Sequence, residues 1–261
     1  MELAKILHYR VCLLHVVTNE KNNRLFSKKT MAYGLLKQLN ALKTKYETKY
    51  PVMIDVLVKN GNLLQVIEQV ATEQVAGLLI LGTHGKKGFQ NLFGSHALKI
   101  VIDAPCPVIS IRRTPFAQGY CNITVPVNGE FDIRQSFTYL ELLHKLFHAR
   151  INLFFSSTGN GREKSGRAET MLGNVTDFLK NHNIQYSVRV AENGIAYTSQ
   201  LIAFAAEMNS DLIVIMTFPE TESPDFSFLQ WNEQLMFNEK HIPVMTVDPQ
   251  GPDIVLSDTG N

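Results

Sequence analysis

Cysteine is scarce in this chain. Cys12, Cys106 and Cys121 are an odd number, at spacings that fit neither a disulfide framework nor a zinc site. Each lies in or beside a predicted strand, so each is expected to act as a small buried hydrophobe in a reducing compartment. A charge of one sign is lacking too, because 25 Lys and Arg face 24 Asp and Glu and leave a formal net charge of +1. The longest basic groupings are the pairs Lys28-Lys29, Lys86-Lys87 and Arg112-Arg113. That excludes the clustered positive face of a protein that lives on nucleic acid. No apolar run approaches the roughly 20 residues that a membrane span needs. The apolar start is broken by His8, Arg10 and His15 and has no small-residue cleavage site, so it does not read as a signal peptide. Cytoplasm is the expected compartment, where the glycosylation-like triplets at Asn122 and Asn174 mean nothing. There is no Gly-x-Ser-x-Gly elbow, no Walker loop and no His-Glu-x-x-His, and no nucleophile can be matched to a base. His8, His15, His144 and His148 lack metal-ligand spacing and read as packing residues. No catalytic residue and no metal ligand is therefore expected.

What is present is a mixed, regular pattern. A length of 261 residues with 45% hydrophobic and 19% charged residues fits about two globular domains. Short β-branched runs alternate with longer helical patterns, the signature of βαβ units and a parallel sheet. Strands are predicted at 11–17, 52–58, 77–82, 107–112, 121–127, 151–156, 184–190, 211–217 and 243–247. Helices are predicted at 23–47, 62–75, 95–103, 131–149, 163–182, 195–209 and 228–240, with Gly61 and Gly194 at equivalent turns. Trp231, with Phe226, Phe228, Leu229, Leu235 and Phe237, reads as core packing near the last helix, with a partner surface formed by some of them as the alternative.

The order of elements repeats. Leu3 to Val11 lines up with Leu143 to Ile151 at an offset of 150 − 10 = 140, and lysine, histidine and arginine recur together. Leu78 to Thr83 parallels Leu212 to Thr217 (212 − 78 = 134), and Pro107 to Ile111 parallels Pro243 to Val247 (243 − 107 = 136). This is a diverged duplication, with domains expected at 1–113 and 120–248, a linker at 113–119 and a loose tail at 249–261. The second half opens with a strand, Asn122 to Val127, that has no counterpart in the first, since 121 − 140 = −19. In a doubly wound sheet of order 3-2-1-4-5 that strand is central, and its absence leaves buried backbone groups unpaired. Three explanations stand: the natural chain starts upstream, residues 1–10 rearrange, or another segment fills the gap. The first is preferred.

The stretch that carries chemistry is Gly82-Thr83-His84-Gly85-Lys86-Lys87-Gly88-Phe89-Gln90-Asn91-Leu92-Phe93-Gly94-Ser95. It joins an apolar strand to a helix. Glycines let main-chain amides approach phosphate oxygens, a helix start adds partial positive charge, and Ser95 suits an N-cap. Tight turns use glycine as well, so spacing alone leaves an ordinary turn open.

Gly82-x-x-Gly85, the Gly94-Ser95 pair, and Asp103-Ala-Pro-Cys-Pro-Val108 leading into a last strand resemble the universal stress protein pattern. The order of elements agrees over nearly the whole chain. The resemblance implies an α/β fold of two Rossmann-like (adenine nucleotide alpha hydrolase-like) doubly wound parallel-sheet domains in tandem, paired through their last strands. It also implies ATP or a related adenine nucleotide, with Mg²⁺, held between the ends of the first and fourth strands. Gly82, Gly85, Gly94 and Ser95 then match the residues that hold ribose and phosphates, and Val16 the one that borders adenine; His84, between the first glycines, is a further candidate for phosphate.

The sequence departs from that pattern in two places. The run between Gly85 and Gly94 is Lys86 to Phe93, 93 − 86 + 1 = 8 residues where the family has nine. The aspartate expected after the first strand has no place in the first half, and Asn128 stands there in the second. After 211–216 the second half offers no glycine and presents Glu220, Glu222 and Asp225, which would repel phosphate, so no nucleotide is expected there. The functional expectation is a non-catalytic stress-response regulator that binds a nucleotide in its first half. A nucleotide-free interaction scaffold of the same fold is the alternative, and a slow ATPase a third reading. Pairing is expected between 108–112 and 244–248, since two open last strands would template aggregation. A homodimer is compatible with the sequence.

Overall fold

The structure is a computed structural model that describes residues 1–18, 28–82, 99–111, 119–128, 133–157, 162–216 and 226–247. The loop residues 83–98, the acidic segment 217–225, most of the linker and the tail lie outside the described residues. The chain divides into two compact units, Met1–Val75 and one that begins at Ala76.

In the first unit, α1 (Glu2–Ile6), β1 (Val11–Val17), α2 (Lys28–Lys49), β2 (Ile54–Asn60) and α3 (Leu63–Glu73) follow in order. β1 and β2 run parallel, from Val11↔Ile54 to Val17↔Asn60. In α2, Leu35, Leu39 and Tyr46 form a partly buried row at helical spacing, while Tyr33, Leu36 and Leu42 face outward. α3 starts where Asn62 caps it, its side-chain oxygen accepting from the Leu64 and Gln65 amides at 3.0 and 3.3 Å. The helix then buries Val66, Val70 and Ala71 at i, i+4 and i+5. With Leu3 and Ile54, these are the buried hydrophobes of this unit among the described residues.

The second unit holds β3 (Leu79–Gly82), α4 (99–103), β4 (Val108–Ile111), β5 (Asn122–Val127) and a 3-10 turn (Ile133–Ser136) running into α5 (Phe137–Phe147). β6 (Arg150–Phe155), α6 (Arg162–Asn181), β7 (Tyr186–Val190), α7 (Tyr197–Glu207), β8 (Leu212–Met216), α8 (Phe226–Met236) and β9 (Val244–Val247) follow. Seven strands form one sheet in the order β3-β4-β9-β8-β5-β6-β7. β7-β6-β5-β8-β9 is the 3-2-1-4-5 order of a doubly wound domain with β5 at its centre. Pairs within the sheet are parallel except β4 with β9, which run antiparallel with Val108↔Thr246 and Ser110↔Val244. The Thr246 hydroxyl donates to the Val108 carbonyl across that seam at 3.1 Å. The pairing of β4 with β9 places both strands in the unit that begins at Ala76.

Element types follow the sequence pattern closely, and the differences have local causes. The helix expected at 131–149 begins as a 3-10 turn closed by the Ser136 hydroxyl on the Ile133 carbonyl at 2.6 Å. The helix expected at 228–240 ends at Met236. Asn238 stops it, its amide donating to the Leu235 and Ile242 carbonyls and its oxygen accepting from the Ile242 amide. Pro126 is tolerated in the central strand because of its direction. The carbonyls of Cys121 and Val127 face β6, so Pro126 turns toward β8, beyond Thr124, where that pairing ends. Cys12 is corrected: it is exposed, whereas Cys106 is buried and Cys121 intermediate.

The repeat is visible in the backbone. α3 and α7 correspond end to end at the 134 offset (197 − 63 = 207 − 73), and the residue two beyond each helix, Val75 or Asn209, is left-handed with φ 48 and 51. At the 140 offset His8 and His148 share φ 54 and 53 before β1 and β6. The amides that open those strands bond the same way, Val11 to the Met53 carbonyl at 2.8 Å and Ile151 to that of Gln185 at 2.9 Å.

Candidate functional site

Ligands of doubly wound sheets sit at the carboxyl ends of the strands, where the order of connections reverses. In the second half that point lies between β5 and β8. A hollow of about 10 Å³ is found there, lined by Val125, Pro126, Val214, Ile215 and Met216 from the strands and by Ile133, Ser136 and Trp231 above them. It has room for about one water, whereas ligand pockets measure roughly 300–1,000 Å³. Trp231 also packs against the core of Phe154, Leu201, Phe204, Ile213, Ile215 and Leu235. At the offset of 136 that aligns the last strands, Trp231 stands where the first half has Ser95 (231 − 95 = 136), and Gln230 where it has Gly94. By that offset the pair expected to hold phosphate in the first half corresponds to Gln230 and Trp231, and the Trp231 side chain lines the hollow. Sequence reasoning placed Trp231 in the core but missed this equivalence, which the repeat itself carries.

β5 is held at its start by Asp211. One carboxylate oxygen accepts from the Cys121 and Asn122 amides at 3.0 and 2.9 Å. Burial, with the Asp211 charge adding to it, pushes the Tyr120 phenol up to about 12. Asp211 corresponds to Gly77 in the first half (211 − 134 = 77), so this clamp belongs to one half only. Asn128, at the end of β5, is half-buried.

Of the residues expected to bind nucleotide in the first half, two are described. Val16 is half-buried near the end of β1, in the first unit. Gly82 closes β3 in the second unit, and a Cβ built on it would meet nothing within 4 Å. The strand end is therefore bare backbone that another molecule can approach. His84, Gly85, Gly94 and Ser95 lie outside the described residues, as do Lys86 and Lys87. No group of three His, Cys, Asp or Glu side chains among the described residues could hold a metal ion. None of the described helices is long and apolar enough to cross a membrane.

The model of the universal stress protein family matches residues 1–112, a span that contains the whole glycine-rich loop. A universal stress protein of Thermus aquaticus is 39% identical over 59 residues, which cover 22% of this chain and 43% of that relative, less than half its length. A universal stress protein from Archaeoglobus fulgidus superposes with a TM-score of 0.70 at 13% identity, over 94% of this chain and 91% of that one. The cytoplasmic domain of a prokaryotic cation chloride cotransporter superposes at 0.52 and 14% identity, over 97% and 91%. At such identities the likeness speaks to the fold, and the two neighbours show that this fold serves different proteins. The chain has the α/β, Rossmann-like architecture of universal stress proteins, with a mostly parallel sheet.

Proposed function

We propose that this chain is a tandem universal stress protein, a non-catalytic cytoplasmic regulator of stress responses that holds ATP or a related adenine nucleotide in its first half only. The observation that carries the reading is that the family match runs through Gly82 to Ser95. In that half Gly82, Gly85, Gly94 and Ser95 would supply amides and a hydroxyl to ribose and phosphates, His84 a phosphate contact, and Val16 a wall for adenine. The nucleotide would bring Mg²⁺ with its phosphates. The second half would hold none: the hollow lined by Trp231 has room for about one water, and Glu220, Glu222 and Asp225 would oppose phosphate. In this reading β4 and β9 are the seam through which the duplicated domains pair, and a homodimer would use other surfaces.

A nucleotide-free scaffold of the same fold is the second reading, favoured by the loop of 8 residues between Gly85 and Gly94. Mass spectrometry of ligand released from gently purified protein separates the two. About one adenine nucleotide per chain supports binding. None released, together with no calorimetric heat on adding ATP and Mg²⁺, leaves the scaffold. Gly85→Val should weaken ATP binding by at least about tenfold through loss of close backbone approach, and turnover that survives it would contradict an ATPase located in that loop.

A further inference from the structure

β7 is the outermost strand at one side of the seven-stranded sheet. In the 3-2-1-4-5 order it keeps that place whatever the first half contains, since a counterpart of β5 there would belong beside β1. Ile151 donates its amide to the Gln185 carbonyl and Ala191 donates to the Phe155 carbonyl, so the odd-numbered residues of β7 bond to β6. The amides and carbonyls of Tyr186, Val188 and Val190 therefore point away from the sheet. Among the described residues no strand pairs with them. The large apolar side chains exposed in the second unit, among the described residues, are Ile80, Val188, Val190 and Ile195, and all but Ile80 lie on this strand or the loop after it. That loop is braced, because Gln200 accepts from the Glu192 amide at 2.9 Å and donates to the Glu192 and Ile195 carbonyls at 2.9 and 3.0 Å.

This edge lacks the usual guards. β7 has no proline and no lysine, and no bulge interrupts its register with β6. Its one charge is turned back on its own unit: Arg189 donates twice to Glu207, at 2.6 and 2.8 Å, and lies over the Phe204 ring at 4.9 Å. β2, its counterpart (186 − 54 = 132), carries the charges Asp55 and Lys59 where the second half has Ser187 and Ala191, and its Val56 and Val58 are partly covered.

We propose that β7 is the surface through which two copies of this chain associate, their strands pairing antiparallel about a two-fold axis at Val188. The edge fits itself. Centred there, Val188 meets its own copy and Tyr186 meets Val190, which engages all three outward-facing residues and sets β-branched and aromatic side chains opposite one another on one face. On the other face each Arg189 falls opposite a Ser187, so like charges do not meet. A net charge of +1 adds no long-range repulsion between copies. The β4 and β9 strands are not available for this role, since each is bonded on both sides within the chain. This inference does not depend on nucleotide binding.

The test is sedimentation equilibrium of the full chain over about 1–100 μM, with amide hydrogen exchange at both ends of that range. A dimer should form, and at the high end the Tyr186, Val188 and Val190 amides should slow by at least about tenfold, while those of Ser187 and Arg189, already bonded to β6, change little. Val188→Lys sets two lysines against each other at the axis and should weaken association by at least about tenfold, whereas Val188→Ile should keep it. Val188 is exposed, so neither change should move the denaturation midpoint, and the exchange pattern decides without any variant if Val188→Lys fails to fold. A chain that stays monomeric throughout, or a dimer that Val188→Lys leaves intact, would overturn the proposal. So would Tyr186, Val188 and Val190 amides already slow in the dilute monomer, which means that another part of the chain covers the edge.

Discussion

In β6 every residue from Ile151 to Phe155 is buried, whereas in β1, its counterpart in the repeat, Cys12 is exposed and the other six residues are only partly covered. The residue types do not explain the contrast, since Val11, Leu13 and Leu14 are as apolar as Ile151, Leu153 and Phe154. Neighbours explain it. β6 lies between two strands, and β1 has one. β3 and β8 differ in the same sense: Ile80 is 52% exposed, while Leu212 to Met216 are all buried. β4 and β9 do not differ so, because each lies on the other, and Val108 and Val244 are both fully buried. A strand of the repeat is buried in proportion to the strands it is bonded to.

The sharpest way to break this comparison is a matched pair of truncations. Phe154→Ala should cost about 3–5 kcal/mol, and Leu14→Ala, at the same place in the repeat, no more than about 1–2, measured by chemical denaturation. Equal costs would mean that β1 is covered after all. Next in size is Gly119→Ala. Gly119 has φ 95 and an added Cβ would run into the ring of Phe147. The ring is fixed against Tyr120, edge to face at 5.8 Å, so it cannot simply withdraw. A loss of about 3 kcal/mol is expected from strain and overpacking together.

The third test uses a titrating residue in one repeat and an aliphatic in the other. Burial pushes the Cys106 thiol from 9.0 up to about 11, and its counterpart is Ile242 (106 + 136 = 242). The folded chain holds the thiol proton more tightly than the unfolded one. This stability is therefore complete below pH 9 and disappears as pH rises to about 11, a loss of about 2–3 kcal/mol. Unfolding of the second unit against pH should show that fall, and Cys106→Ala should flatten it. The Tyr120 phenol, with its shift from 10.0 to about 12, would leave a separate, later fall in the same experiment. The smallest effect is a gain. Val75 is 87% exposed and held at φ 48, a conformation that β-branched residues resist, while its counterpart Asn209 tolerates φ 51. Val75→Asn should stabilise the first unit by about 1 kcal/mol, read as a rise in its denaturation midpoint.

Most of the fold was legible because strand and helix patterns are local. The strand at 11–17 matches β1 at both ends, and the others shift by one or two residues where short turns compete with the ladder. The early stop of α8 was not legible, since it depends on Asn238 reaching both Leu235 and Ile242 across a turn. Cys12 was misjudged because an apolar neighbourhood in sequence does not say whether anything covers it. At the candidate site, the glycine spacing was legible in the sequence, and a Cβ built on Gly82 would meet nothing within 4 Å. Trp231 over the β5 and β8 ends was hidden, because only a structure shows which residues of two distant segments meet.

By itself the sequence determined the alternation of strands and helices, the duplication and its offsets, and the glycine-rich loop, since each is written in residues near one another in the chain. The tertiary structure decided which apolar strands are buried, that β3 and β4 join the sheet of the second half, and that Trp231 lines the hollow with residues of β5 and β8. These depend on pairing across long separations, where burial is set by the neighbour and not by the residue.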